Sequence, residues 1–133
     1  MRCRLVNLKS VVDSRGSLFV AEGGIDIPFE PKRVFYITGM EVGRNRGHHA
    51  HRAAHQVLFC LDGSLEVKTK QPQSTEEIWR LDDPSVGLYV PPLTWTVFDA
   101  ISGRSLCLVL ASTLYDPDDY IRNIHDFDGL GTS

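Results

Sequence analysis

Four of the five histidines, His48, His49, His51 and His55, are packed into eight consecutive residues directly before an apolar run. In an extended strand successive side chains alternate faces, so His49 and His51 project the same way and His48 the other. Two imidazoles side by side can ligate a metal, or they can move protons near neutral pH. The stretch that carries them, Gly43–Gly63, is bounded by glycines and contains Gln56.

The elements that must position this pair are short strands. Arg4–Lys9, Ser17–Glu22, Lys32–Thr38, Gln56–Leu61, Ser64–Lys70, Ile78–Leu81, Gly87–Val90, Trp95–Phe98 and Ser105–Ala111 are rich in β-branched and aromatic residues. Turn signals separate them: Asp13-Ser14-Arg15-Gly16, the hairpin dipeptide Asp62-Gly63, and Asp82-Asp83-Pro84. Gly43 and Gly47 bracket a loop that delivers the histidines. No segment keeps a helical period over ten or more residues. The tail opens Asp116-Pro117-Asp118-Asp119, an acidic cap with proline at the first helical position, so a short turn or helix is expected there with solvated aspartates. Many short strands between Gly and Pro turns predict an antiparallel sandwich or barrel.

Composition removes several function classes. A net charge of −3 and a pI near 5.9 leave no basic stripe for nucleic acid. No apolar run approaches the ~18 residues that span a bilayer, and the first residues read as a strand rather than a signal peptide. Cys3, Cys60 and Cys107 have no CxxC spacing, so neither a zinc knuckle nor a redox motif is suggested. The expectation is a single domain over 1–133, soluble and cytoplasmic.

The spacing Gly43, His49, His51, Gln56, Gly63 resembles the first motif of the cupin superfamily, in which position 56 is usually Glu. The second motif falls near Pro91-Pro92-Leu93-Thr94-Trp95-Thr96, with Thr96 where a cupin carries its third histidine. Gln and Thr are weak ligands that add no charge compensation, so the ligand set for a metal is incomplete.

A wider set of segments extends the match along the chain. D-S-R-G-S-L (13–18), K-R-V-F-Y-I (32–37), R-G-x-H-A-H-R (46–52), Q-V-L-F-C-L-x-G-S (56–64), G-L-Y-V-P-P (87–92) and L-V-L-A-S-x-x-Y-D-x-x-D-Y-I-R (108–122) occur in order. Together they are similar to the sugar 3,4-ketoisomerases, metal-free cupins acting on dTDP-4-keto-6-deoxyglucose. The resemblance implies an all-β cupin double-stranded β-helix (jelly roll), a homodimer with partly exchanged sheets, and no cofactor. It implies His49 as the base, His51 as its partner in proton delivery, and Tyr36 as a hydroxyl for the oxyanion. It also implies substrate contacts from Arg15, Arg33, Arg46, Gln56, Trp95, Thr96 and Arg122, the arginines suiting a pyrophosphate. A metal-dependent cupin dioxygenase and a non-catalytic sugar-nucleotide-binding cupin are the rival readings.

Overall fold

The computed structural model describes residues 1–130, so the last three residues of the expected 1–133 domain lie outside them. The strands are β1 (Arg4–Asn7), β2 (Lys9–Asp13), β3 (Gly16–Val20), β4 (Arg33–Met40), β5 (Arg46–His51), β6 (Gln56–Lys70), β7 (Glu77–Leu81), β8 (Val86–Val90), β9 (Trp95–Ala111) and β10 (Tyr120–Ile121). A 3-10 turn at Pro117–Asp119 precedes β10, and a short helix, α1 (Ile124–Gly129), follows it.

The long strands β6 and β9 pair antiparallel and form a bent spine. The first half of β6 lies between β8 and the end of β9, while its second half lies between β7 and the start of β9. To this spine β4 adds along Cys107–Ala111 and β5 along Thr96–Phe98, so they extend opposite ends of it. The result is the curled antiparallel all-β architecture expected. Its core closes where the two halves of the spine face each other: Leu58, Cys60 and Val109 meet Leu65, Val67 and Phe98 in one cluster. Each fully buried side chain of this size contributes about 1.5–3 kcal/mol. Val57, Phe59, Tyr89 and Leu110 bury the other face of the spine's first half against Ile27, which explains why Q-V-L-F-C-L is apolar throughout.

Three local expectations are corrected. Asp62-Gly63 does not turn a hairpin: β6 runs through it as one fifteen-residue strand. Both flanks keep pairing with β9, so the glycine, at φ +77°, is absorbed as register shifts that bend the strand. For the same reason Trp95–Phe98 and Ser105–Ala111 are one seventeen-residue strand rather than two. The loop expected between Gly43 and Gly47 already gives way to β5 at Arg46, because β9 pairs with Arg46 and Gly47.

The tail holds both a turn and a helix. Asp116 caps the 3-10 turn, accepting from the Asp118 N–H at 3.0 Å, and Asn123 caps α1. Phe127 of α1 is fully buried against Ala50 and Ile121. Among the described residues no helix is long and apolar enough to cross a membrane.

Candidate active site

A cavity of about 400 Å³ opens between the two halves of the curl. Phe35 and Ile37 of β4, Leu58 of β6 and Phe98 and Val109 of β9 form its apolar wall. Arg46, His49, Gln56, Thr96, Tyr120 and Arg122 supply its polar groups. Four of the expected contact residues, Arg46, Gln56, Thr96 and Arg122, are thus brought together with His49.

Register explains the placement. His49 stands opposite Thr96 on β9, and His51 stands opposite Tyr120 on β10. Continuing the second ladder brings Arg122 abreast of His49. A bulge at His48, whose φ is +56°, shifts the register between Gly47 and His49. His48 is turned to solvent, where it pairs with Asn45 at 2.8 Å. Gly47 itself has φ +99°, and a Cβ there would lie 2.6 Å from the Thr96 carbonyl oxygen. Only glycine lets β5 approach β9 this closely.

His49 Nδ1 lies 3.0 Å from the Gly47 carbonyl oxygen. A carbonyl can only accept, so Nδ1 carries the proton and Nε2 keeps its lone pair. Burial, the neighbouring His51 and the Arg122 guanidinium push the His49 pKa down to about 4. At neutral pH this imidazole is therefore an unprotonated base on the cavity wall. Arg122 lies over the Tyr120 ring, 4.4 Å from its centroid. Among the described residues neither Arg46 nor Arg122 has a carboxylate within ion-pair distance. Two unpaired guanidiniums beside a pocket suit a bidentate polyanion such as a diphosphate. The groups facing the cavity are one imidazole, an amide, hydroxyls and two cations. That donor set fits proton transfer and anion binding far better than a divalent metal.

Other expected residues are placed differently. His51 does not line the cavity. It is 6% exposed and stands one layer behind, edge-on to His49 with ring centroids 5.0 Å apart. Trp95 faces away, because it neighbours Thr96 on a strand and only one of the two can point inward. It packs on Phe127 at 5.6 Å. Tyr36 alternates with the inward Phe35 and Ile37, so it touches the cavity only at the rim and is 67% exposed. Arg33 lies over the rings of Phe35 and Tyr115, at 5.5 and 5.8 Å, outside the cavity lining. Arg15 sits on the turn between β2 and β3, paired with Asp13 at 2.7 Å and remote from this cavity.

Two residues of the site went unread in the sequence. Tyr120 faces both histidines, with ring centroids 5.1 Å from His49 and 4.4 Å from His51. Asp119, expected to be solvated, is instead a buried carboxylate 2.9 Å from His51 Nδ1. The ordered run D-Y-I-R was visible, but nothing local marked it as a strand against the histidines.

Comparison with known proteins agrees with this geometry. Residues 1–130 match the family model described as FdtA, WxcM-like, C-terminal. A TDP-4-oxo-6-deoxy-alpha-D-glucose-3,4-oxoisomerase of Aneurinibacillus thermoaerophilus is 43% identical over 127 residues, covering 96% of this chain and 91% of the relative. The solved structure of QdtA, a sugar 3,4-ketoisomerase of Thermoanaerobacterium thermosaccharolyticum in complex with TDP, is 44% identical, with TM-score 0.92 over 96% of this chain and 93% of that one. A histidine-to-asparagine variant of QdtA was solved with TDP-4-keto-6-deoxyglucose. A 3,4-ketoisomerase of Helicobacter canadensis is 34% identical, with TM-score 0.93 over 98% of this chain and 97% of that one. With this cupin-like fold, and with a match running from Met1 to Leu130, the chain belongs to the FdtA, WxcM-like C-terminal family of sugar 3,4-ketoisomerases.

Proposed function

We propose that this protein converts dTDP-4-keto-6-deoxyglucose into a dTDP-3-keto-6-deoxyhexose by proton transfer through an enediolate. The observation that carries the proposal is an unprotonated imidazole, His49, on the wall of a sugar-sized cavity flanked by two unpaired arginines. The 4-keto group acidifies the proton on C3. His49 Nε2 removes it, the enediolate forms across C3 and C4, a proton passes from O3 to O4, and the His49 imidazolium returns a proton to C4, which leaves the ketone on C3. The Tyr120 hydroxyl, with that of Tyr36 at the rim, is the donor that meets the developing oxyanion, while the Thr96 hydroxyl donates to the Thr94 carbonyl oxygen at 3.3 Å and offers the sugar a lone pair. Arg46 and Arg122 take the diphosphate, and Gln56 orients a sugar hydroxyl. His51, behind His49, supports the base rather than touching the sugar. Incubation with the nucleotide sugar tests this, since carbon NMR should show the carbonyl moving from C4 to C3. An unchanged 4-keto carbon would defeat the proposal.

The pH dependence follows from the depressed His49 pKa. The base works unprotonated, so kcat/KM, which reports the free enzyme, should stay level down to about pH 5 and fall below the value of about 4. Bound diphosphate adds negative charge beside Arg122 and offsets its effect on His49, which favours the imidazolium. The acid limb of kcat should therefore lie at higher pH than that of kcat/KM. A kcat/KM limb at or above pH 6.5 would contradict this.

The homodimer belongs to the same reading. β2 and β3 form a two-stranded sheet that pairs with no other described strand. Such a hairpin is marginal in water alone, and it exposes Val11, Val12 and Leu18. A second copy is the partner this arm fits, and packing there also gives Arg15 a route to a sugar site. Wild-type protein should sediment as a dimer and Val12→Glu as a monomer; a monomeric wild type would refute this arrangement. The same substrate, a nucleotide sugar, supports a cytoplasmic location.

A further inference from the structure

We infer that Asp119 is a positioning residue that holds His51 in one tautomer and so prepares the second imidazole to support His49. The inference rests on the isomerase reading above and deepens it. His51 Nδ1 lies 2.9 Å from Asp119 Oδ2, and both side chains are almost wholly buried. The other carboxylate oxygen accepts the Ala53 N–H at 2.7 Å, so Asp119 is itself fixed from two directions. Hydrogen bonds from Ala53 and His51 hold its carboxyl below the usual range in spite of burial. An ionised carboxylate accepts only, so Nδ1 of His51 carries the proton.

That leaves Nε2 of His51 as a lone pair, and it is buried with no protein partner. An orphaned buried acceptor is destabilising by about 1–3 kcal/mol, which a purely structural histidine would avoid. The charged and titratable groups around His51 are His49, Tyr120 and Asp119, with Arg33 and Arg122 on flanking segments. Asp119 is the one anion in that set. When His49 takes the C3 proton, a further cation forms in a site already holding guanidiniums. The carboxylate behind His51 offsets that charge, and the fixed tautomer leaves Nε2 a lone pair rather than a second N–H dipole beside the His49 imidazolium. A serine-protease triad likewise uses a buried carboxylate to fix a histidine tautomer, there on the base itself and here on its neighbour.

Asp119→Asn separates this role from simple packing. The amide oxygen can keep the Ala53 hydrogen bond, while the amide N–H₂ donates and so reverses the His51 tautomer. Nitrogen-15 NMR of labelled histidine should place the wild-type His51 proton on Nδ1 and the variant's on Nε2. The expected kinetic result is a kcat lower by about 100-fold with KM changed less than about threefold. A wild-type His51 protonated on Nε2 would overturn the inference whether or not the variant folds. So would a folded Asp119→Asn with kcat within threefold of wild type. Wild-type protein inactive on the 4-keto sugar would remove the isomerase reading itself, which the NMR tautomer distinguishes from failure of Asp119 alone.

Discussion

His49→Asn is expected to lower kcat by at least about 100-fold while the folded protein still binds TDP. The scale is that of a lost acid–base group. Asparagine can keep a donor near the Gly47 carbonyl, so β5 should hold its place beside β9. It has no lone pair able to take the C3 proton at neutral pH. Arg46 and Arg122 are untouched, so nucleotide affinity measured calorimetrically should change little. This outcome separates an isomerase from a binding module, which would retain affinity and have no turnover to lose. A variant within tenfold of wild-type kcat would show that some other group is the base.

Gly47→Ala is expected to damage stability and activity together. A Cβ there would meet the Thr96 carbonyl oxygen at 2.6 Å, a backbone atom that cannot swing aside, and the residue's φ of +99° is strained for any L side chain. Backbone strain and overpacking each cost about 1–3 kcal/mol. A combined loss of about 2–6 kcal/mol corresponds to a fall in Tm of roughly 10–20 °C for a chain of this size. The carbonyl that Gly47 presents to His49 Nδ1 would move with the strand, so kcat in the surviving folded protein should drop by about tenfold or more. A thermal scan and a turnover assay check both halves. Wild-type Tm with wild-type kcat would mean that the close approach of β5 to β9 is unimportant.

Much of this was legible because it rests on short-range rules. Alternation placed His49 and His51 on one side and His48 on the other, and turn dipeptides delimited most strands. Long-range pairing was not legible. Whether Asp62-Gly63 makes a hairpin or a bulge depends on β9 continuing beside it. The inward face of β4 could not be read from K-R-V-F-Y-I, since both faces are apolar, and so Tyr36 looked deeper than its rim position. Trp95 turns outward because Phe127, far along the chain, covers that face of β5. Asp119 lies 68 residues from His51 and meets it through a two-residue strand, too short to leave a periodic signal. Its neighbour Asp116 is the cap that D-P-D-D advertised, and that hid the different role of the last aspartate.

The most direct test of the central claim, proton transfer at C3 and C4 by the His49 site, is turnover of dTDP-4-keto-6-deoxyglucose in D₂O followed by NMR. Wild-type protein should yield a 3-keto product carrying deuterium at C4, and His49→Asn should yield neither product nor label on the same time scale. A wild-type reaction mixture with the ketone still at C4 and no deuterium at C3 or C4 would contradict the account.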